Sequence, residues 1–253
     1  MAVLSGPGGY LVRMPIENKQ VYVRQLGCMA YQAAWAYQER LFQAILDVKL
    51  ANRKLAPAQQ QPTPNYLLFC EHPHVYTMGK SGVAAHLLAR QQTLQEQGID
   101  FYHTNRGGDI TYHGPGQLVV YPIVDLENFF RDLHRYLRVL EEAVIATLQE
   151  FSLQGGRIAG LTGVWLDATK PKQARKICAI GVRTSRWVAM HGLALNVCPD
   201  LRFFDKIIPC GVSDKSVTSM AVELAVRQEL QQVASRLLYH LLRLFGMEHV
   251  QEA

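Results

Sequence analysis

The sequence predicts a mixed α/β fold, with a sheet of mixed strand direction flanked by helices in a single domain over residues 1–253. Three observations carry that expectation. Short runs rich in β-branched and aromatic residues, bounded by Gly and Pro, cluster in the middle of the chain. Apolar residues at helical spacing flank them. No shift in composition splits the chain.

Taken in order, residues 29–50 (MAYQAAWAYQERLFQAILDVKL) read as a helix. An exposed loop follows near 53–65, where RKLAPAQQQPTPN breaks regular structure with Pro and Gln. Strands are expected at YLLFCEH, GDITYH, QLVVYPIV, GVWL, KICAIGV and RWVAMHGLALNV. Leu133, Leu137, Leu140, Val144 and Leu148 mark a second amphipathic helix, and Leu230, Val233, Leu237, Leu241 and Leu244 a third.

At 49% hydrophobic and 19% charged residues, the chain is composed like an ordinary globular protein with ample core. No apolar run approaches the roughly 18–20 residues of a membrane span, and MAVLSGPGGYLVRMP lacks the layout of a signal peptide. A cytoplasmic protein is expected. Five cysteines, an odd count with no CxxC pair, argue against a disulfide framework or a thiolate zinc site. Each is then a core filler or a free thiol. A formal charge of +5 favours an acidic partner, either nucleic acid or an acidic carrier protein. The charge is dense only around Lys170, Lys172, Arg175 and Lys176, as on a solvated basic face. No aromatic-studded basic strand or helix-turn-helix supports nucleic-acid binding.

Three stretches carry chemistry. In NRGGDITYHGPGQLVVYPIVDL, Gly107, Gly108, Gly114 and Gly116 surround a short strand, so backbone can approach a ligand and offer free N–H groups. Arg106, Thr111, Tyr112 and His113 add polar side chains. The stretch is neither a Rossmann nor a Walker pattern. The alternative is a tight hairpin with decorative polar residues. In ARKICAIGVRTSRWVAMHGLALNV, strand alternation would place Lys176, Cys178 and Ile180 on one face. Lys176 is either a snorkelling edge residue or a buried functional amine. In DKIIPCGVSDKSVTSM, Cys210 lies between Pro209 and Gly211, on a turn that a reagent can reach. An unperturbed thiol has a pKa near ~8.5. Lowering it by two units takes roughly 2.7 kcal/mol, which one ammonium ~4 Å away supplies at an effective dielectric of ~20.

Together these stretches resemble the lipoyl(octanoyl) transferases, the octanoyl-carrier-protein:protein N-octanoyltransferases of lipoate assembly. The resemblance runs in order through CEHPHVYTMGKSG, RGGDITYHGPGQLVVYPI, KICAIGV, HGLALNV and IIPCGVSDKSVTSM, nearly the whole chain. It implies the catalytic fold shared by biotin and lipoate protein ligases. It implies that Cys210 accepts the acyl group as a thioester and that Lys176 lowers the thiol pKa. It implies a substrate-binding segment of Arg106, Gly107, Gly108, Asp109, Ile110, Thr111, Tyr112 and His113, with Ala179, Ile180, Gly181, Gly192, Leu193 and Ala194 as further contacts. The donor would be acyl carrier protein, bearing octanoyl on its phosphopantetheine. The acceptors would be lysines of lipoyl domains, in 2-oxoacid dehydrogenases or the H protein of glycine cleavage. No metal or ATP is expected, and a monomer is.

His74 stands where a proline is expected, and with His72, His103 or His113 it invites a metal reading. Pro73 interrupts the alternation and no carboxylate or cysteine spacing supports a site. Cys178 is the rival nucleophile, with a buried filler as the alternative, as for Cys28, Cys70 and Cys198. An ATP-dependent ligase on the same fold, a thioester hydrolase and a basic nucleic-acid-binding protein are the competing classes.

Overall fold

The computed structural model describes residues 17–208 and 216–251. In chain order they form β1 (Gln20–Cys28), α1 (Tyr31–Asn52), β2 (Tyr66–Glu71), β3 (Val75–Met78), α2 (Gln91–Glu96), β4 (Asp100–His103), β5 (Ile110–His113) and β6 (Gln117–Asp125). Then come α3 (Leu133–Glu150), β7 (Gly155–Ile158), β8 (Leu161–Leu166), β9 (Arg175–Ser185), β10 (Val188–Asn196), β11 (Ser216–Val217), α4 (Met220–Leu224), α5 (Leu230–Phe245) and β12 (Glu248–Val250). The main sheet runs β12-β1-β2-β6-β10-β9-β8-β7, with β11 added against β9. A second sheet of three strands, β4-β3-β5, lies apart from it.

The centre of the main sheet is covered on both faces. All nine residues of β6 and all nine of β10 are buried, which is why their sequences are near-continuous apolar runs. Alternate residues enter different cores. Leu118, Val120 and Val124 of β6 join α3 and α5 in one cluster, whereas Val119, Tyr121 and Ile123 meet Ala34, Phe42, Ile45 and Leu46 of α1 in the other. The expected helices stand. Asp132 caps α3 by accepting from Arg135 N at 2.9 Å, and Gly246 ends α5 in the left-handed region at φ 66°.

The 53–65 loop needs correction at one end. Residues 53–62 are mostly exposed, but Thr63 and Asn65 are buried. Asn65 accepts from Asp125 N at 3.2 Å and donates to Asn18 O and Gln20 O, both at 3.0 Å. These bonds satisfy backbone groups where β1, β2 and β6 begin or end, so the amide is held inside. Among the described residues no helix is long and apolar enough to cross a membrane.

Candidate active site

β9 departs from simple alternation at the position that matters most. Val164 of β8 faces Cys178, but its neighbour Trp165 faces Lys176, so Ile177 is an extra residue bulged out of the pairing. The bulge reverses parity. Ile177 and Cys178 both enter the core under α3 and α5, while Lys176 shares the opposite, α1 side with Ala179 and Gly181 at a cavity wall. The expectation that Lys176 and Cys178 share one face is therefore overturned. Lys176 is 7% exposed, so it is a buried amine and not a snorkelling one. Its Nζ lies 4.6 Å from the centroid of the Trp165 ring, whose face stabilises the cation. Gly163, at φ 121°, lets β8 pass behind it; a Cβ there would stand 2.6 Å from Cys178 O and 3.6 Å from Lys176 Cε.

The cavity lies on the α1 side of the main sheet, beneath the glycine-rich turn. Of the predicted binding residues, Arg106, Gly108, Asp109, Ile110, Thr111 and His113 line it from the turn and β5. Ala179, Ile180, Gly181, Gly192, Leu193 and Ala194 line it from β9 and β10. Gly107 and Tyr112 do not. Gly107 instead seals turn to sheet: its N donates to Val182 O at 2.9 Å, and a Cβ on Gly181 would meet its carbonyl at 2.9 Å. Tyr112 is carried to the other face of β5, where its ring stacks on Phe203 at 5.0 Å and its hydroxyl bonds His74 Nδ1 at 2.7 Å. His74 thus packs on the loop between β2 and β3, against Phe203 at 4.2 Å. Cys210 lies outside the described residues.

A chain of hydrogen bonds fixes the polar side of the cavity. Gln117 Nε2 donates to Asn196 Oδ1 (2.9 Å) and to Tyr112 O (3.2 Å), which turns its Oε1 to His113 Nδ1 at 2.7 Å. His113 must then carry its proton on Nδ1, and Nε2 is left as an acceptor 3.5 Å from Thr77 Oγ1. Arg106 Nη2 donates to Thr77 O (2.6 Å) and Oγ1 (3.0 Å). At the far end, Asn196 Nδ2 donates to Thr218 O at 2.9 Å, and Thr218 N donates to Lys176 O at 2.9 Å. The same logic fixes His191: Asn105 Nδ2 donates to Glu39 Oε1 at 2.8 Å, so Asn105 Oδ1 accepts from His191 Nε2 at 2.6 Å.

Burial holds both imidazoles neutral. His113 is pushed down to about 3 by burial, then by His72, with Arg106 and His191 adding to the effect against its bond to Gln117. His191 also falls to about 3, through burial and then Arg106 and Arg183. These groups titrate near ~6.5 in the unfolded chain. Their stabilisation is therefore complete above that pH and is lost as pH falls through the window toward 3. At up to ~1.36 kcal/mol per group per pH unit, unfolding free energy is expected to drop by roughly 3–4 kcal/mol from pH 7 to pH 5. Urea titrations at the two pH values measure it, and equal midpoints would refute it.

Sequence reasoning missed Tyr31, Val119, Tyr121 and His191 in the cavity wall. They come from α1, β6 and β10, which only the tertiary fold brings together. A smaller cavity beside Lys176 is lined also by Gln117, Asn196, Phe204 and Val217. The expected basic patch dissolves: Arg175 forks onto Glu223 at 2.5 and 2.6 Å and reaches Asp167 at 2.6 Å, which also takes Lys170 at 3.0 Å. Cys28 is exposed and Cys198 intermediate, so only Cys70 and Cys178 are buried fillers among the described cysteines.

The chain is similar to known proteins in sequence and in fold. Residues 30–242 match the family model of the lipoyl protein ligase A/B catalytic domain. The chain is 55% identical over 234 residues to an octanoyltransferase of Cytophaga hutchinsonii, covering 92% of this chain and 96% of that protein. It is 56% identical over 234 residues to an octanoyltransferase of Flavobacterium johnsoniae, covering 92% of this chain and all of that protein (100%). Among solved structures, a bipartite lipoate protein ligase of Thermoplasma acidophilum superposes with a TM-score of 0.64 at 16% identity, covering 93% of this chain and 86% of that one. A lipoate-protein ligase A bound with ATP superposes with a TM-score of 0.62, also at 16% identity, over 93% of this chain and 90% of that one. These two similarities concern the fold.

Proposed function

The chain belongs to the lipoyl protein ligase A/B catalytic-domain family and is an acyltransferase of the octanoyltransferase type, and we propose that it works by way of an enzyme-bound thioester on Cys210. The octanoyl donor is acyl carrier protein, and the acceptor is the ε-amine of a lysine on a lipoyl domain. The observation that carries this reading is Lys176, a buried amine on the cavity side of a bulged strand. The segments flanking Cys210 in sequence converge on it. Phe204, and Val217 paired with Lys176 in β11, border the cavity at that lysine. Cys210 follows Ile208 by two residues and precedes Ser216 by six.

In the first step the Cys210 thiolate, stabilised by the Lys176 ammonium, attacks the donor thioester carbon. The C–S bond to the carrier breaks, and the carrier sulfur leaves as a thiol with the proton of the Lys176 ammonium, which is left neutral. In the second step the acceptor amine attacks the Cys210 thioester and the C–S bond to the enzyme breaks. An amide forms, and Lys176, neutral at that stage, takes the amine proton. The donor thioester supplies the activation, so ATP is not a reactant. Burying about seven carbons beyond the carbonyl contributes roughly 5 kcal/mol, against the small and apolar residues Ala179, Gly181, Leu193 and Ala194. Both steps take place in the cytoplasm.

Incubation with octanoyl-carrier protein, followed by intact mass, is expected to show one octanoyl added to the enzyme. Addition of apo lipoyl domain should move it to the acceptor. Transfer seen only with ATP and free octanoate would mark a ligase. Free octanoate released without an acceptor would mark a hydrolase.

A further inference from the structure

Asp109 lies in the predicted substrate-binding segment, but its carboxylate is engaged elsewhere. One oxygen accepts from Val83 N at 3.2 Å, and the other pairs with His86 Nδ1. Both partners sit on residues 79–88, a strap that follows β3 and crosses over the glycine-rich turn. The strap's backbone adds three bonds to the turn: Gly79 N to Asp109 O (3.2 Å), Lys80 N to Arg106 O (2.9 Å) and Ser81 N to Gly108 O (3.1 Å).

The other end of the strap grips a different segment. Leu88 N donates to Lys206 O at 2.9 Å, Ile208 N donates to His86 O at 2.8 Å, and Leu87 bridges Ile207. His86 therefore touches both sides at once. Its ring holds the turn through Asp109, and its carbonyl holds Ile208, two residues before Cys210.

We propose that His86 is a positioning residue for acyl transfer. It clasps the acyl-binding turn to the chain that enters Cys210, and it sets the one relative to the other. The proposal rests on the reading of Cys210 as the nucleophile. Asp109 is accordingly an anchor of the clasp, with its carboxylate turned to the strap. A misplacement of about 1 Å between a nucleophile and a bound thioester costs on the order of a hundredfold in rate. Loss of one of several bonds across the strap is expected to cost less.

The test follows octanoyl loading in single turnovers from octanoyl-pantetheine, by intact mass, with the adduct mapped by peptide mass spectrometry. His86→Ala is expected to load about tenfold more slowly at saturating donor, with the half-saturating concentration changed less than about twofold. His86→Asn, whose amide N–H can donate to Asp109 in place of Nδ1, should recover to within about threefold of the wild type. Asp109→Ala removes the same bond from the other side, together with the bond from Val83 N, and serves also where His86→Ala does not fold. The double variant should be no slower than the slower single within about twofold, since both act through one clasp.

Wild-type loading by His86→Ala, a loss confined to half-saturation, multiplicative losses in the double variant, or failure of Asn to rescue at matched Tm would each overturn the proposal. An adduct that maps to another residue in the wild type overturns the nucleophile reading and the proposal with it. An adduct on Cys210 with unaltered loading by His86→Ala overturns the clasp alone.

Discussion

Cys210→Ala is expected to abolish the octanoyl-enzyme adduct and to lower transfer to a lipoyl domain by at least ~10⁴-fold, the scale on which loss of a covalent nucleophile is felt. The other thiols give the comparison its force. Cys178, the rival, is fully buried among Ile177, Val164 and the residues of α3, and its Sγ donates to Ala179 O at 3.6 Å. Burial pushes its thiol up, and a hydrogen bond with the Ala194 backbone and then the nearby Lys176 offset this only in part. Cys70 is buried too, and its thiol is raised chiefly by desolvation. Cys28 is exposed on β1, four strands away from β9 in the main sheet, or roughly 19 Å at ~4.8 Å per strand. Cys178→Ala should therefore keep the adduct and lose on the order of 1 kcal/mol of stability through a small cavity. If Cys178→Ala removes the adduct and Cys210→Ala keeps it, the assignment is wrong.

Why Cys178 looked competitive from the sequence is a matter of strand parity. In KICAIGV every second side chain faces one way, provided that the strand is regular. The bulge at Ile177 shows only in the pairing with β8, where Val164 and Trp165 are consecutive but pair with residues two apart. Nothing in KICAIGV itself announces that. Gly163 and its φ of 121° are the local trace, and they lie on the neighbouring strand.

Sequence reading found α1, α3, α5, β2, β5, β6, β8, β9 and β10, most plainly α3 and α5 by their periodicity and β6 and β10 by their double-sided burial. Those it missed had little pattern to offer. β1 is only intermittently buried, β12 has three residues, and β3 and β4 have four each. Their pairing is set by neighbours distant in sequence. The turn at Arg106–His113 was legible as a ligand surface through its glycines and polar residues. That Asp109 and Tyr112 turn elsewhere depends on Val83, His86, His74 and Phe203, which the turn's own sequence does not mention.

Lys176→Met is expected to slow octanoyl loading at pH 7 by about 30- to 1,000-fold. The kinetic loss follows from electrostatics. An ammonium ~4 Å from a thiolate contributes about 4 kcal/mol at an effective dielectric of ~20, and partial solvation reduces that to roughly 2–4 kcal/mol. Without it the Cys210 pKa rises, less thiolate exists at neutral pH, and loading grows with pH over a range displaced upward by about two units.

Lys176→Arg separates its two roles. A guanidinium keeps the positive charge but stays protonated throughout, so it can stabilise the thiolate yet cannot take a proton from the acceptor amine. Loading by this variant should remain within about tenfold of the wild type, while transfer to the lipoyl domain falls by about a hundredfold, in the range attributed to a general base. Rapid-quench loading and transfer assays across pH 6–10 distinguish the outcomes. A pH profile of Lys176→Met that is merely scaled down, with no alkaline displacement, would show that Lys176 does not tune the thiol. Equal losses in both steps for Lys176→Arg would show that the arginine disturbs the cavity as a whole, and the division of labour between cation and base would fall.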